Sequence, residues 1–430
     1  MSPLSPSSKA SSRPPLRVGL VGVTGYGLAY YEGLTKLVES GLVEWGAATI
    51  INRAEATEQL AFFEATGVPV YDDYRAMLEA EGERLDWVCV PTAIGWHTRM
   101  TVDSLRRGIP VLVEKPIAPT LQDVDAIQAA ERESGLLVAV GFQHSYIRGT
   151  WEIKRRLLAG EIGEIRRMDS IGLWPRPESY YTRNDWSGRI HDGQFWVLDS
   201  PLQNALSHVV NLILFFGGST LEGRADLREV AAELYRAKPI QSYDTVRTEV
   251  TLDSGVRAAV VLSHSSAHRI DPEIRIVGSK GTFTWRFSGA HTFKVGDRIE
   301  TLRTRGHIPM RDFMFENIVR RIQGDPSGRI CTTELAKGEV KWVNAVQDAT
   351  AIHDIPAVYR RHLVEESGEV FDFVENLDYY AVRAYHERCW FSDLNAPWAV
   401  APGRLDTTAY TRFEARHIPA PVPPVESSAR

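Results

Sequence analysis

Two short segments, far apart in the chain, carry residue types that could do chemistry together. Glu114-Lys115-Pro116 closes the apolar run Val111-Leu112-Val113, which reads as a buried strand. A lysine at the carboxyl end of such a strand sits where open α/β sheets bind ligands. Near the start, Val18-Gly19-Leu20-Val21 runs into Gly22-Val23-Thr24-Gly25-Tyr26-Gly27. A turn of that kind presents backbone N–H groups at a helix N-terminus, where a pyrophosphate binds. A nucleotide loop and a lysine at one sheet edge suggest cofactor chemistry, with Lys115 beside the reacting carbon. Thr24 stands where the commoner G-x-G-x-x-G turn has its middle glycine, and Gly25 follows at once. The bland alternative is a turn that only joins strand to helix. Its place after the first strand of a βαβ pattern favours the cofactor.

At the end of the second strand a carboxylate commonly bonds the ribose 2′-hydroxyl. This chain has Ile50-Ile51-Asn52-Arg53 there. Nothing repels a 2′-phosphate, and Arg53 could pair with it. NADP is therefore slightly favoured over NAD, against the alternative of a plain helix-entry turn. Further on, Asn204, His208 and Asn211 follow one another at i, i+4 and i+7 of an expected helix and share one face. Val209, Leu212 and Phe216 form its apolar stripe. A lone histidine is by default a satisfied structural group. This one follows a loop rich in Tyr, Trp, Arg and Asn, which points to acid–base work.

The elements that must position these residues alternate from Leu16 to about Phe142. Strands are expected at Arg17–Val21, Val43–Ile51, Trp87–Val90, Val111–Val113 and Leu137–Gly141. Helices are expected at Ala54–Thr66, Tyr74–Glu81, Thr98–Arg107 and Leu121–Ser134. Such alternation predicts an α/β unit with a doubly wound parallel sheet over residues 16–142. The texture changes after Gln143. A helix over Trp151–Ala159, a strand over Ile165–Leu173 and a helix over Ser200–Phe216 precede β-rich segments between Glu229 and Trp285. Helices return at Asp312–Gln323 and Glu334–Ala351. This predicts an α+β unit over 143–350, a mostly antiparallel sheet with one helical face. Residues 351–430 form an extension without clear strand rhythm, with a loose end at Pro419–Pro424.

Bulk properties narrow the function classes. Of 430 residues, 43% are apolar and 24% charged, ordinary for a globular chain. A net charge of −6 gives no electrostatic footprint for nucleic acid. No apolar stretch approaches the roughly 20 residues that span a bilayer, so no membrane partner is expected. The Ser/Pro-rich start, residues 1–15, reads as a disordered tail rather than a signal peptide. Cys89, Cys331 and Cys389 make neither a metal spacing nor a disulfide framework, which suggests a reducing cytoplasm and no metal.

Taken together, the chain resembles the Gfo/Idh/MocA family of oxidoreductases, named for glucose–fructose oxidoreductase and inositol dehydrogenase. The resemblance covers about Leu16 to Ala351. It rests on Gly22–Gly27, Pro91-Thr92 with His97, Glu114–Pro116, and Asn204-Ala-Leu-Ser-His208-Val-Val-Asn211 in place of D-x-x-x-H-x-x-D. Ile276–Thr284 also matches a family strand-turn-strand, and Phe313, Asn317 and Gly324 fit its late helix. The resemblance implies an NAD(P)-dependent dehydrogenase moving hydride between nicotinamide and a secondary alcohol of a sugar, cyclitol or derivative. It implies His208 as acid/base, Lys115 on the reacting oxygen, and Asn204 positioning one or both. Gly22, Thr24, Gly25, Tyr26 and Gly27 would hold the diphosphate. Asn52 and Arg53 would meet the adenosine ribose, while Pro91, Thr92, His97 and Glu114 would flank the ribose and nicotinamide. Tyr181, Asn184, Trp186, Arg189 and His191 are candidate contacts for a carbohydrate or polyol, against ordinary packing as the alternative. A homodimer or homotetramer through the second-domain sheet is implied.

Two departures bear on mechanism. Asparagines stand at both aspartate positions of the helix motif, so His208 should be a weaker base and Lys115 should carry more of the proton transfer. Gly141-Phe142-Gln143-His144 departs from the family's usual Asn-Arg after the fifth strand. Two other functions stay open on the sequence. One is a glycoside-cleaving enzyme that oxidises its sugar transiently and takes the hydride back. The other is a non-catalytic sensor of sugar or nucleotide.

Overall fold

The computed structural model describes residues 14–304 and 307–419. The expected tail lies outside them but for Pro14 and Pro15, and the loose end lies outside but for Pro419.

Six short strands build the first sheet: β1 Leu16–Val21, β2 Val43–Thr49, β3 Val70–Tyr71, β4 Trp87–Val90, β5 Val111–Val113 and β6 Val138–Val140. Their order is β3-β2-β1-β4-β5-β6, all parallel, so the strand order reverses between β1 and β4. Ligands bind in the crevice at such a reversal. The helices between them are α1 Tyr26–Glu39, α2 Thr57–Thr66, α3 Tyr74–Glu81, α4 His97–Arg106 and α5 Leu121–Ser134. Val88, Val90, Leu112, Val113 and Val138 are fully buried. That is why these strands read as continuous apolar runs rather than alternating ones.

After α6 Arg148–Leu158, the second sheet begins with β7 Ile165–Leu173. Two helices, α7 Glu178–Thr182 and α8 Ser207–Gly217, precede the rest of its strands. These are β8 Leu227–Arg236, β9 Thr245–Leu252, β10 Arg257–Ser263, β11 Ile270–Gly278, β12 Gly281–Arg286, β13 Ala290–Val295 and β14 Arg298–Arg303. Helices α9 His307–Ile322 and α10 Thr333–Ala349 follow, then β15 Ile352–Asp354, β16 Arg360–Val364, β17 Val370–Val374, α11 Leu377–Glu387 and β18 Gly403–Asp406. The order is β14-β13-β12-β11-β7-β10-β9-β8-β15, with β18 beside the other end of β8. Only β7/β10 and β8/β15 are parallel pairs.

Four expectations need correction. The helix expected from Ser200 begins at Ser207. The Asn204 carbonyl receives the Ser207 hydroxyl and the Lys115 ammonium, and such competing bonds hold Ser200–Leu206 in turns. Asn204 therefore lies outside the helix and does not share its face with His208 and Asn211. The segment after Ala351 is not without strands. Its two additions to the large sheet, β15 and β18, are three and four residues long, too short to show a period. The stretch Ala54–Thr66 is broken, a 3-10 turn at Arg53–Glu55 preceding α2.

The second sheet has not one covered face but two. On one side Val230, Leu234, Val260 and Leu262 join the main core with α8 and α10. On the other, Ile171, Leu173, Tyr235 and Val261 pack against Leu377, Ala381, Tyr385, Phe391 and Trp398 of the extension. These strands are apolar on both faces, so both need a cover. The side of β11 and β12 away from the core carries Glu273, Arg275, Thr284 and Arg286, all partly exposed. The extension thus occupies part of the sheet through which the resemblance implies subunit pairing.

Candidate active site

The glycine turn has the geometry a diphosphate requires. Gly22 and Gly25 have φ of 86° and 57°, conformations that a Cβ disfavours. A Cβ on Gly27 would stand 2.4 Å from the Gly22 carbonyl oxygen. The cap of α1 is Gly25, with no side-chain oxygen for the helix's first N–H groups. Those donors at the positive end of α1 are what a pyrophosphate takes up. The residues present fit a dinucleotide.

Lys115 lies at the carboxyl end of β5, partly buried, followed by a cis Lys115–Pro116 peptide. Its Nζ donates to the Asn204 carbonyl at 2.9 Å and to Asn204 Oδ1 at 3.0 Å. The other end of that amide is fixed as well: Nδ2 donates to Asp199 Oδ1 at 2.9 Å and reaches the Tyr180 hydroxyl at 3.4 Å. Asp199 is buried and also accepts from the Gly188 N–H at 2.6 Å. An ammonium, an amide and a carboxylate thus stand in series, and the amide cannot flip without losing both partners. The aspartate that the motif lacks at position 204 is supplied from five residues upstream.

Charges around Lys115 decide its proton affinity. Burial pulls its pKa below the usual lysine value, while the carboxylates of Glu114, Glu339 and Asp199 pull the other way. Glu114 is buried behind it, accepting from Tyr30 Oη at 3.3 Å, Gln143 Nε2 at 3.0 Å and the Lys115 backbone N–H. Burial raises its carboxyl to about 7. Glu339 on α10 is fully buried, and burial raises its pKa well above the usual carboxyl range. A lysine with lowered proton affinity among polar groups is suited to giving and taking a proton.

The other expected site residues divide. His97 is buried, its ring nitrogens 2.7 Å from the Pro116 carbonyl and 3.0 Å from the Thr92 carbonyl. Burial lowers its pKa to about 4, so the neutral ring ties the Pro91-Thr92 turn to the strand carrying Lys115. His208 stands one residue beyond Ser207, its ring edge-on to Phe142 at 5.5 Å and to His144 at 4.9 Å. Asn211 bonds Ser145 and the Leu335 carbonyl, a tie between α8 and α10. Asn52 is exposed, and Arg53 is paired at 2.7 Å with Asp72, just past β3. The Tyr26 hydroxyl accepts from Gln143 Nε2 at 3.2 Å. Asn184 Oδ1 caps its own turn, accepting from the Trp186 and Ser187 N–H groups. His191 Nδ1 likewise accepts from Gly193 N–H, and Arg189 is exposed. Tyr181 lines a small cavity beside Tyr180, Asp199 and His264. Sequence reasoning missed Asp199, Tyr180 and Glu339. The step Asp199-Ser200-Pro201, a turn signal, was the available clue to the first.

A dinucleotide turn, a reversal of strand order and a partly buried lysine at the end of the strand after β4 point to a two-domain nucleotide-dependent oxidoreductase class. Comparison with known proteins agrees. Residues 16–142 match the model of an oxidoreductase family with an NAD-binding Rossmann fold, and residues 150–284 match the GFO/IDH/MocA C-terminal domain. The chain belongs to the Gfo/Idh/MocA family.

Among curated relatives, it is similar to a putative UDP-kanosamine synthase oxidoreductase subunit of Amycolatopsis mediterranei, 30% identical over 53% of this chain and 64% of that protein. An inositol 2-dehydrogenase of Pseudomonas syringae is 32% identical over 35% of this chain and 43% of its own. Each match spans less than two thirds of the relative. In fold it is similar to an inositol dehydrogenase homolog of Azotobacter vinelandii complexed with NADH and myo-inositol (TM-score 0.62, 18% identity, 76% and 93% of the chains). It is likewise similar to a dehydrogenase of Bordetella pertussis in complex with NADH and UDP-GlcNAcA (TM-score 0.62, 21% identity, 76% and 94%). Among the described residues, no helix is long and apolar enough to cross a membrane.

Proposed function

We propose that this chain is a dehydrogenase or reductase acting on a secondary alcohol, or the matching ketone, of a sugar, cyclitol or derivative. The observation that carries the proposal is the Lys115 ammonium held by Asn204 at the strand end beside the dinucleotide turn. When bound, the nicotinamide supplies or accepts the hydride. Gly22, Thr24, Gly25, Tyr26 and Gly27 would hold the diphosphate. Lys115 would donate to the reacting oxygen, stabilise its developing charge and move its proton. Asn204, fixed by Asp199, orients the ammonium. His208 would be the further acid/base group. Similarity to inositol dehydrogenases and to enzymes of sugar nucleotides supports a polyol or sugar substrate. A homo-oligomer and a cytoplasmic setting belong to the same reading.

The test follows reduced cofactor while purified chain turns over candidate sugars with NAD+ or NADP+. Net accumulation supports the dehydrogenase. Sugar cleavage without accumulation favours the redox-neutral glycosidase, and binding without either favours a sensor.

A further inference from the structure

Resting on that reading, we propose that the sugar derivative taken by this site carries an anionic group, a carboxylate or a phosphate, held by Arg176 and Arg183. Tyr180 connects the two halves of the site. Its hydroxyl lies 3.4 Å from Asn204 Nδ2, and so one residue from Lys115. Over its ring stand two guanidinium carbons, Arg183 at 3.8 Å and Arg176 at 4.6 Å from the centroid. A substrate whose reacting hydroxyl meets Lys115 lies beside Tyr180, within reach of both forks.

Some arginines of the chain are held in ion pairs, and these two are not. Arg156 is paired with Glu161 and Glu300, Arg224 with Glu334, and Arg236 with Asp354. Among the described residues, neither Arg176 nor Arg183 has a carboxylate oxygen within ion-pair distance. Arg176 Nε is buried without a hydrogen-bond partner, a costly state unless a ligand supplies the acceptor. The nearby carboxylates are already engaged. Asp199 accepts from Gly188 and Asn204, and Asp244 from the Ala237 and Lys238 N–H groups.

Beyond Tyr180, the buried His264 has no hydrogen-bond partner on either ring nitrogen and lines a cavity of about 10 Å3 with Ser200 and Tyr243, room for one water. The two guanidiniums share one tyrosine ring; Arg176 is partly buried, while Arg183 is exposed and its Nε donates to Ser187 Oγ at 3.3 Å. Their planar forks match a carboxylate or phosphate bidentately.

Isothermal titration of the NAD+-loaded full chain tests this with four probes: D-glucuronate, glucose 6-phosphate, glucose and myo-inositol. At least one anionic probe should bind about tenfold or more tightly than glucose, and the two anions separate carboxylate from phosphate. Arg176→Met and Arg183→Met should each weaken that probe about tenfold, with glucose and NAD+ binding unchanged. The inference is overturned if neutral probes bind as tightly as both anions, or if neither variant weakens anion binding. Neutral binding alone leaves the dehydrogenase reading standing. Failure of all four probes to bind sinks both.

Discussion

Asp199→Asn should move the pH dependence of hydride transfer. Lys115 Nζ and the Asp199 carboxylate are separated by one amide and two hydrogen bonds, 3.0 and 2.9 Å long. That puts the charges about 7 Å apart. At an effective dielectric of about 20, Coulomb's law gives an attraction of about 2 kcal/mol. The direction is fixed by the site: burial already lowers the lysine, and Asp199 is one of three carboxylates opposing that. Removing the charge lowers it further. Ketone reduction needs the protonated lysine, so its rate falls as pH rises through the lysine pKa, and in the variant that fall begins at lower pH. Alcohol oxidation needs the neutral lysine, so its rising limb moves down by the same amount. The assay is kcat/KM against pH in both directions, read by nicotinamide absorbance, with dinucleotide affinity as the control. A variant with a wild-type profile would refute the series linking lysine, amide and carboxylate.

Further outcomes follow from single contacts. Gly27→Ala forces a Cβ against the Gly22 carbonyl; it should cost about 1–3 kcal/mol and weaken dinucleotide binding, measured by denaturant midpoint and titration. Asp72→Asn releases Arg53 from its partner and should raise the preference for NADP over NAD a few-fold, because an exposed pair holds only about 0.2–1 kcal/mol; an unchanged ratio removes Arg53 from cofactor choice. Trp398→Ala opens the cluster with Tyr235 and Phe391 and should lower stability by about 3–5 kcal/mol in urea unfolding. A loss below about 1 kcal/mol would mean that the extension is not a true cover of the sheet.

The parallel sheet was legible because its strands are buried on both faces: Trp87–Val90 and Val111–Val113 stand as read, and so do Tyr74–Glu81 and Leu121–Ser134. The glycine turn and Lys115 announced themselves by local sequence. The start of α8 did not, because what ends the turn before it is an ammonium from 89 residues away. Asp199 was hidden for the same reason: its role appears only when Asn204 turns its amide toward it. Asn184 and His191, read as candidate sugar contacts, each also accept a backbone N–H from two residues on, a turn habit that their types share with recognition. The cover on the second face of the large sheet was invisible because the apolar residues of 377–398 have no period that names their partner.

Lys115 is the residue on which the proposed hydride transfer depends most directly. In Lys115→Met, with the sugar that the wild-type chain turns over, kcat/KM should fall by about 10²–10⁴-fold, the range for a positioned acid–base group, while dinucleotide affinity stays as it was. A variant that transfers hydride at the wild-type rate would contradict the account.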